Sequence, residues 1–208
     1  MIRKFYVADA WKELPKLLVS MADPAPFNFI IADPLYDLNS EERKYLDYWF
    51  GWLSLNGYVA FSAPENPFIS EADKVTHHGF WVKPLSTKNY KAMKNPSRFV
   101  ELVQYRQVHP EHRVWNGANQ HWSMSTNVFN DIVQEPMLHN KGWRKPLTLI
   151  KRLIKLYTNP GDLILDPFAG SGVVAEACME LGRGFVAFDI NREYVIEAKQ
   201  RLGLGDVN

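Results

Sequence analysis

Asp166-Pro167-Phe168-Ala169-Gly170-Ser171-Gly172 is the stretch around which the rest of the chain is organised. The apolar run Leu163-Ile164-Leu165 leads into it, and Val174, Ala177, Cys178 and Leu181 follow at helical spacing, so the segment reads as strand, glycine turn, helix. Glycine at 170 and 172 removes two Cβ atoms where backbone must pass close to a ligand, and the helix that follows offers free N–H groups at its start. That geometry suits a nucleotide-type cofactor. A Walker-type phosphate loop would need Gly-Lys-Ser/Thr, whereas Gly172 is followed by Val173 and Val174, which disfavours ATP or GTP.

A second strand, Gly184-Phe185-Val186-Ala187-Phe188, ends in Asp189, about 20 residues past the glycines, where a carboxylate can accept ribose hydroxyls. Far upstream, Phe27-Asn28-Phe29-Ile30-Ile31-Ala32 is an apolar run suited to a parallel strand covered on both faces. It delivers Asp33-Pro34-Leu35-Tyr36 to the carboxyl edge of the sheet, where ligands of open α/β sheets bind. An Asp-Pro-x-Tyr motif preceding Asp-Pro-Phe-Ala-Gly-Ser-Gly resembles the β-group, circularly permuted amino-methyltransferases, which methylate exocyclic amines of DNA adenine (N6) or cytosine (N4). The resemblance covers the chain from about Phe5 to Leu202, apart from a middle stretch that does not align.

The resemblance implies an α/β, Rossmann-like methyltransferase fold: a mostly parallel seven-stranded sheet with helices on both faces, permuted motif order and a small target-recognition insert. It implies S-adenosylmethionine as cofactor, with Asp9, Ala10, Lys145, Pro146, Asp166, Phe168, Ala169, Gly170, Ser171, Gly172, Asp189, Ile190 and Asn191 around it. Asp9 can equally cap the helix that follows it. It implies Asp33, Pro34 and Tyr36 as the catalytic group. An adenine N6 amine is a poor nucleophile because its lone pair is delocalised into the ring. A carboxylate from Asp33 and the Pro34 carbonyl, each accepting one amine hydrogen, would bias the nitrogen toward a pyramidal form aimed at the methyl donor. Tyr36 would stack on the flipped base. Most relatives carry a second proline where this chain has Leu35; leucine restores an N–H and loosens φ, so either activity is weakened or Leu35 packs.

The chain has 208 residues, 46% hydrophobic and 23% charged, enough for a single domain with a sizeable core. One cysteine excludes an intramolecular disulfide. It also argues against carbon-5 cytosine methylation, which needs a thiol nucleophile, since Cys178 falls on the apolar face of a helix. No apolar run approaches the roughly 20 residues of a membrane span, and Met1-Ile2-Arg3-Lys4 leads straight into a strand, so a cytoplasmic protein with no membrane partner is expected.

The net charge of +1 hides an asymmetry: residues 74 to 113 hold eight Lys or Arg against two acids, Glu101 and Glu111. A solvated basic face would explain this; so would phosphate binding by a loop at 83–98, with Lys83, Lys88, Lys91, Lys94 and Arg98 on a DNA backbone. Residues 109–140 lack periodicity. The resembling family carries its target-recognition region here, which would give Arg113, Trp115, Asn119, Gln120 and Trp122 to nucleic acid, unless they are buried structure. His109, His112, His121 and His139 show no metal-ligand spacing, and no metal is expected. The expected partner is double-stranded DNA, with a homodimer and a cognate restriction endonuclease left open. Cytosine-N4 methylation, RNA adenine methylation and a catalytically weak nucleic-acid-binding subunit stand as alternatives.

Overall fold

A computed structural model describes residues 1–20, 27–35, 37–70, 74, 76–82, 100–117, 128–129 and 144–205. In chain order the elements are β1 (Arg3–Val7), α1 (Ala10–Ser20), β2 (Phe27–Ala32), α2 (Ser40–Leu53), β3 (Ser54–Ser62), β4 (His77–Val82), β5 (Val100–Gln107), β6 (Val128–Phe129), α3 (Leu147–Tyr157), β7 (Leu163–Asp166), α4 (Val173–Glu180), β8 (Gly184–Asp189) and α5 (Arg192–Leu202). The strands form one sheet in the order β1-β8-β7-β2-β3-β5-β4-β6. All pairings are parallel except β3 with β5 and β4 with β5. Among the described residues seven strands match the expected number, and the eighth is the two-residue β6, too short to leave a periodic signal in sequence.

The apolar run of β2 is continuous because both its faces are covered. Phe29 and Ile31 enter a core with α3, α4 and α5, while Ile30 and Ala32 enter a second core with α1 and α2. All four are at most 1% exposed, and burying an Ile or Phe side chain stabilises by roughly 1.5–3 kcal/mol.

From β7 the chain passes through α4 to β8 on one side; from β2 it passes through α2 to β3 on the other. β2 and β7 are neighbours, paired Phe29 to Ile164 and Ile30 to Leu165. The strand order therefore reverses between their carboxyl ends, which opens a crevice there. Asp33 follows β2 and the glycine turn follows β7, so both motifs meet at that crevice although they are more than half the chain apart.

Three local expectations are corrected. Phe5-Tyr6-Val7-Ala8 reads as a short buried strand, but β1 is not buried: among the described residues it pairs with β8 alone, at the sheet edge, and Phe5 is its one buried residue. Gly57, placed in the sequence to end a helix over residues 41–56, does not end α2. The helix stops at Leu53, with the Ser54 N–H donating to the Phe50 carbonyl, and the chain enters β3 at once. Gly57 lies inside β3, where the register with β2 shifts, and a Cβ there would stand 2.1 Å from the Arg106 carbonyl oxygen. Leu35 does not pack either; it is 76% exposed.

Candidate active site

Asp166 closes β7 with its carboxylate accepting from the Phe168 N–H at 3.2 Å. The turn is then held by backbone: Ala169 N–H to the Phe188 carbonyl at 2.8 Å and Gly172 N–H to the Ala169 carbonyl at 2.8 Å. Gly170 and Gly172 have φ of 48° and 75°, the left-handed region that costs little only for glycine. Their surroundings differ. A Cβ on Gly172 would lie 2.9 Å from both Ala198 and Phe5, whereas a Cβ on Gly170 would meet nothing within 4 Å. Gly172 keeps packing close; Gly170 keeps the cleft open.

Asp189 does more than stand at a strand end. Its Oδ2 accepts from the Gly170 N–H at 2.7 Å and its Oδ1 from the Asn191 N–H at 2.8 Å, tying the glycine turn to the start of α5. Asn191 in turn caps α5 through the Glu193 N–H, and Ile190 between them is 74% exposed. β1 pairs with β8 so that Val7 lies opposite Asp189, which brings Asp9 to the same edge. Asp9 caps α1: its Oδ1 accepts from the Trp11 N–H at 3.0 Å, and Ala10 is buried beneath.

Asp33 and Lys145 face each other across the cleft, with Lys145 Nζ 2.6 Å from Asp33 Oδ2. The same ammonium lies 3.1 Å from Glu101 Oε2 and 5.0 Å from the centre of the Phe61 ring. Lys145 is 8% exposed. Burial works against its charge, but the Asp33 and Glu101 carboxylates outweigh that and hold it above its ordinary value. Asp166, also buried, is pushed well above the usual carboxylate range, first by desolvation, with Asp33 and Asp189 adding to it and the Phe168 N–H opposing.

One cleft is lined by Ile31, Asp33, Phe61, Lys145, Ile150, Asp166, Phe168, Ala169, Gly170, Ser171, Val173 and Val174. Asp33 and the glycine turn thus share a single opening. Pro146 is the N-cap of α3 directly behind Lys145, while Gly172, Asp9, Ala10, Asp189, Ile190 and Asn191 stand outside the lining. The donor set fits S-adenosylmethionine: carboxylates gathered around a cleft favour a ligand carrying sulfonium and ammonium charges, and a positive-φ glycine leaves space beside them.

Trp115 takes the buried-structure alternative, packed within the fold. β5 runs antiparallel to β3, so Gln107 lies opposite Gly57 and the chain leaves the sheet at its amino edge, away from Asp33. There the Trp115 ring packs 5.1 Å from His77 and 5.4 Å from Tyr157, and the Asn116 side chain caps α3 through the carbonyls of Lys155 and Thr158. Arg113 is exposed at the same edge. Tyr36, Lys83, Lys88, Lys91, Lys94, Arg98, Asn119, Gln120 and Trp122 lie outside the described residues.

Glu101 and Phe61 went unnoticed as site residues in the sequence. A carboxylate inside the otherwise apolar run Val100–Val103 was the available signal, because a buried charge needs a partner. Arg144, Glu176 and Arg201 were missed too: Glu176 pairs with both arginines, and Arg201 Nη2 donates to the Ser171 carbonyl at 2.7 Å, bracing the turn. Cys178 is fully buried and burial pushes its thiol up, which makes it a poor nucleophile. Among the described residues no cluster of three or more His, Cys, Asp or Glu could hold a metal, and no helix is long and apolar enough to cross a membrane.

Residues 25–200 match the family model described as DNA methylase, the N6/N4 methyltransferase family. The chain belongs to that family. Among curated relatives of this methylase, the Type II methyltransferase M.HpaI of Haemophilus parainfluenzae is 46% identical over 59 residues, 28% of this chain and 19% of that protein. The DNA adenine methyltransferase YhdJ of Escherichia coli (strain K12) is 43% identical over 63 residues, 30% of this chain and 21% of that protein. These matches thus span only about a fifth of the relatives' own length. A solved structure of the M1.HpyAVI–SAM complex superposes with a TM-score of 0.76 and 25% identity, covering 97% of the methylase and 100% of that chain.

Proposed function

We propose that this methylase moves the methyl group of S-adenosylmethionine to the N6 amine of an adenine flipped out of double-stranded DNA. The observation that carries the reading is that Asp33 and the glycine turn line one cleft, so a methyl donor on the turn and an amine held by Asp33 would be adjacent. S-adenosylmethionine supplies an electrophilic methyl on a sulfonium whose leaving group is a neutral thioether. The chain's own residues do the rest. The glycine turn, with Asp166 and Asp189 at the ends of the strands beside it, binds and orients the donor. The Asp33 carboxylate and the Pro34 carbonyl accept the two amine hydrogens and turn the nitrogen lone pair toward the cleft. As the new N–C bond forms, the amine sheds one proton on the side of Asp33. Tyr36 stacks on the base.

The loop 83–98 is proposed to hold the DNA backbone, and the stretch 109–140 to contact the target. Val82 and Val100, which flank that loop, pair with each other, and Leu102 pairs with Ser62 at the carboxyl end of β3. Val82 and Val100 therefore stand at the same edge of the sheet as Asp33, which supports the assignment. Adenine is preferred over cytosine because relatives acting on cytosine more often open the motif with serine.

Incubating the purified chain with methyl-labelled S-adenosylmethionine and unmethylated genomic DNA, with total RNA in parallel, and identifying the labelled nucleoside by mass spectrometry tests all of this. Labelled N6-methyladenine from DNA is expected. Label in N4-methylcytosine, or in RNA alone, would replace the reading.

A further inference from the structure

We infer that Glu101 is a positioning residue for methyl transfer, acting through Lys145, which holds the Asp33 carboxylate by its Oδ2. The inference rests on the proposed reading of Asp33 as the acceptor of the target amine. Glu101 sits in β5 at 5% exposure between Val100 and Leu102, and its Oε2 lies 3.1 Å from Lys145 Nζ. Lys145 reaches this point from the residue before Pro146, whose ring restricts the lysine backbone to extended conformations. Its ammonium then lies 5.0 Å from the centre of the Phe61 ring and within salt-bridge distance of both carboxylates.

The charge count explains why a second carboxylate belongs there. An ammonium bound to Asp33 alone would neutralise it and weaken it as an acceptor for an amine hydrogen. An ammonium has three donors and no acceptor, so it can serve both carboxylates at once. Shared with Glu101, one ammonium is divided between two carboxylates, so it fixes the orientation of Asp33 while neutralising it less than an exclusive pair would. Orientation and acceptor strength act on the transferring nitrogen, not on cofactor binding, so loss of Glu101 should lower the rate of the chemical step and spare affinity. A pairing that only offsets buried charge would instead show up in stability.

The test compares the wild-type chain with Glu101→Gln, Lys145→Gln and the double variant. The readouts are single-turnover transfer of labelled methyl to unmethylated duplex DNA, cofactor Kd by titration calorimetry, and thermal unfolding. Glu101→Gln should slow single-turnover transfer at least about ten-fold while cofactor Kd and the KM for DNA stay within about two-fold. The double variant should be no slower than Lys145→Gln alone, because the two act in series. Wild-type transfer rate in folded Glu101→Gln, or losses that multiply in the double variant, would overturn the inference. If Glu101→Gln does not fold, Glu101→Asp, shorter by one methylene, decides by the same rate and Kd criteria. Wild-type chain that labels no DNA overturns the methylation reading and this inference with it. Transfer abolished by Asp33→Ala but untouched at Glu101 overturns the inference alone.

Discussion

Lys145 Nζ stands 2.6 Å from Asp33 Oδ2 across 112 residues of chain. The contact joins the end of β2 to the start of α3, and it places a cation directly against the carboxylate to which the proposed chemistry assigns the amine. Lys145 was expected beside the cofactor; its side chain turns to Asp33 and Glu101 within the cleft.

Asp33→Ala should lower methyl transfer by about a thousand-fold or more, since it removes an acceptor from the reacting nitrogen. Cofactor affinity should remain within about five-fold. Labelled-methyl transfer and calorimetric titration of the cofactor measure the two separately; turnover close to wild type would remove Asp33 from the mechanism.

The two glycines of the turn should fail in different ways. Gly170→Val puts its side chain into the open cleft and forces a φ of 48° on a β-branched residue, so cofactor binding should be lost. Gly172→Ala drives a Cβ against Phe5 and Ala198, so the fold should lose about 1–3 kcal/mol, a drop of several degrees in Tm. Binding titration and thermal melts of both variants check the contrast, and equal behaviour would mean that the cleft is misassigned.

Asp166 should give stability a pH dependence of definite sign. Its folded pKa is raised above the unfolded value, so the folded state favours the neutral acid; that contribution is fully present below the unfolded pKa and is lost as pH rises through the folded one. Asp166→Asn keeps an oxygen for the Phe168 N–H and removes the titration. Urea unfolding between pH 4 and about 8 should show the wild type losing ground to the variant as pH rises. Parallel pH curves would contradict the burial argument.

Neutralising Lys88, Lys91 and Lys94 together should reduce the slope of log K against log salt for DNA by about 2.7, at about 0.9 per phosphate contact. Arg113→Ala should leave that slope unchanged. Trp115→Ala should cost about 1–3 kcal/mol of stability without altering the slope, because its ring packs on His77 and Tyr157. Fluorescence anisotropy across a salt series, with denaturant melts alongside, separates the loop from the amino edge.

How far the chain could be read without coordinates depended on the range of the interaction involved. The strand–turn–helix at 163–181 and the continuous apolar β2 are written in periodicity and glycine placement, because those signals act within a few residues. So was the order of the two motifs. What periodicity could not carry was any contact made across the sheet. Glu101 looked like one acid in a basic stretch until β5 brought it to Lys145; Gly57 looked like a helix stop until β5 passed within 2.1 Å of its missing Cβ. Trp115 looked like a base-stacking residue until the antiparallel run of β5 carried it to the amino edge. By itself, then, the sequence determined which segments would form the cleft and which cofactor chemistry they suit. Only the tertiary structure decided which charges meet inside it, because strand direction and pairing place side chains in space and leave no local trace in the residues they join.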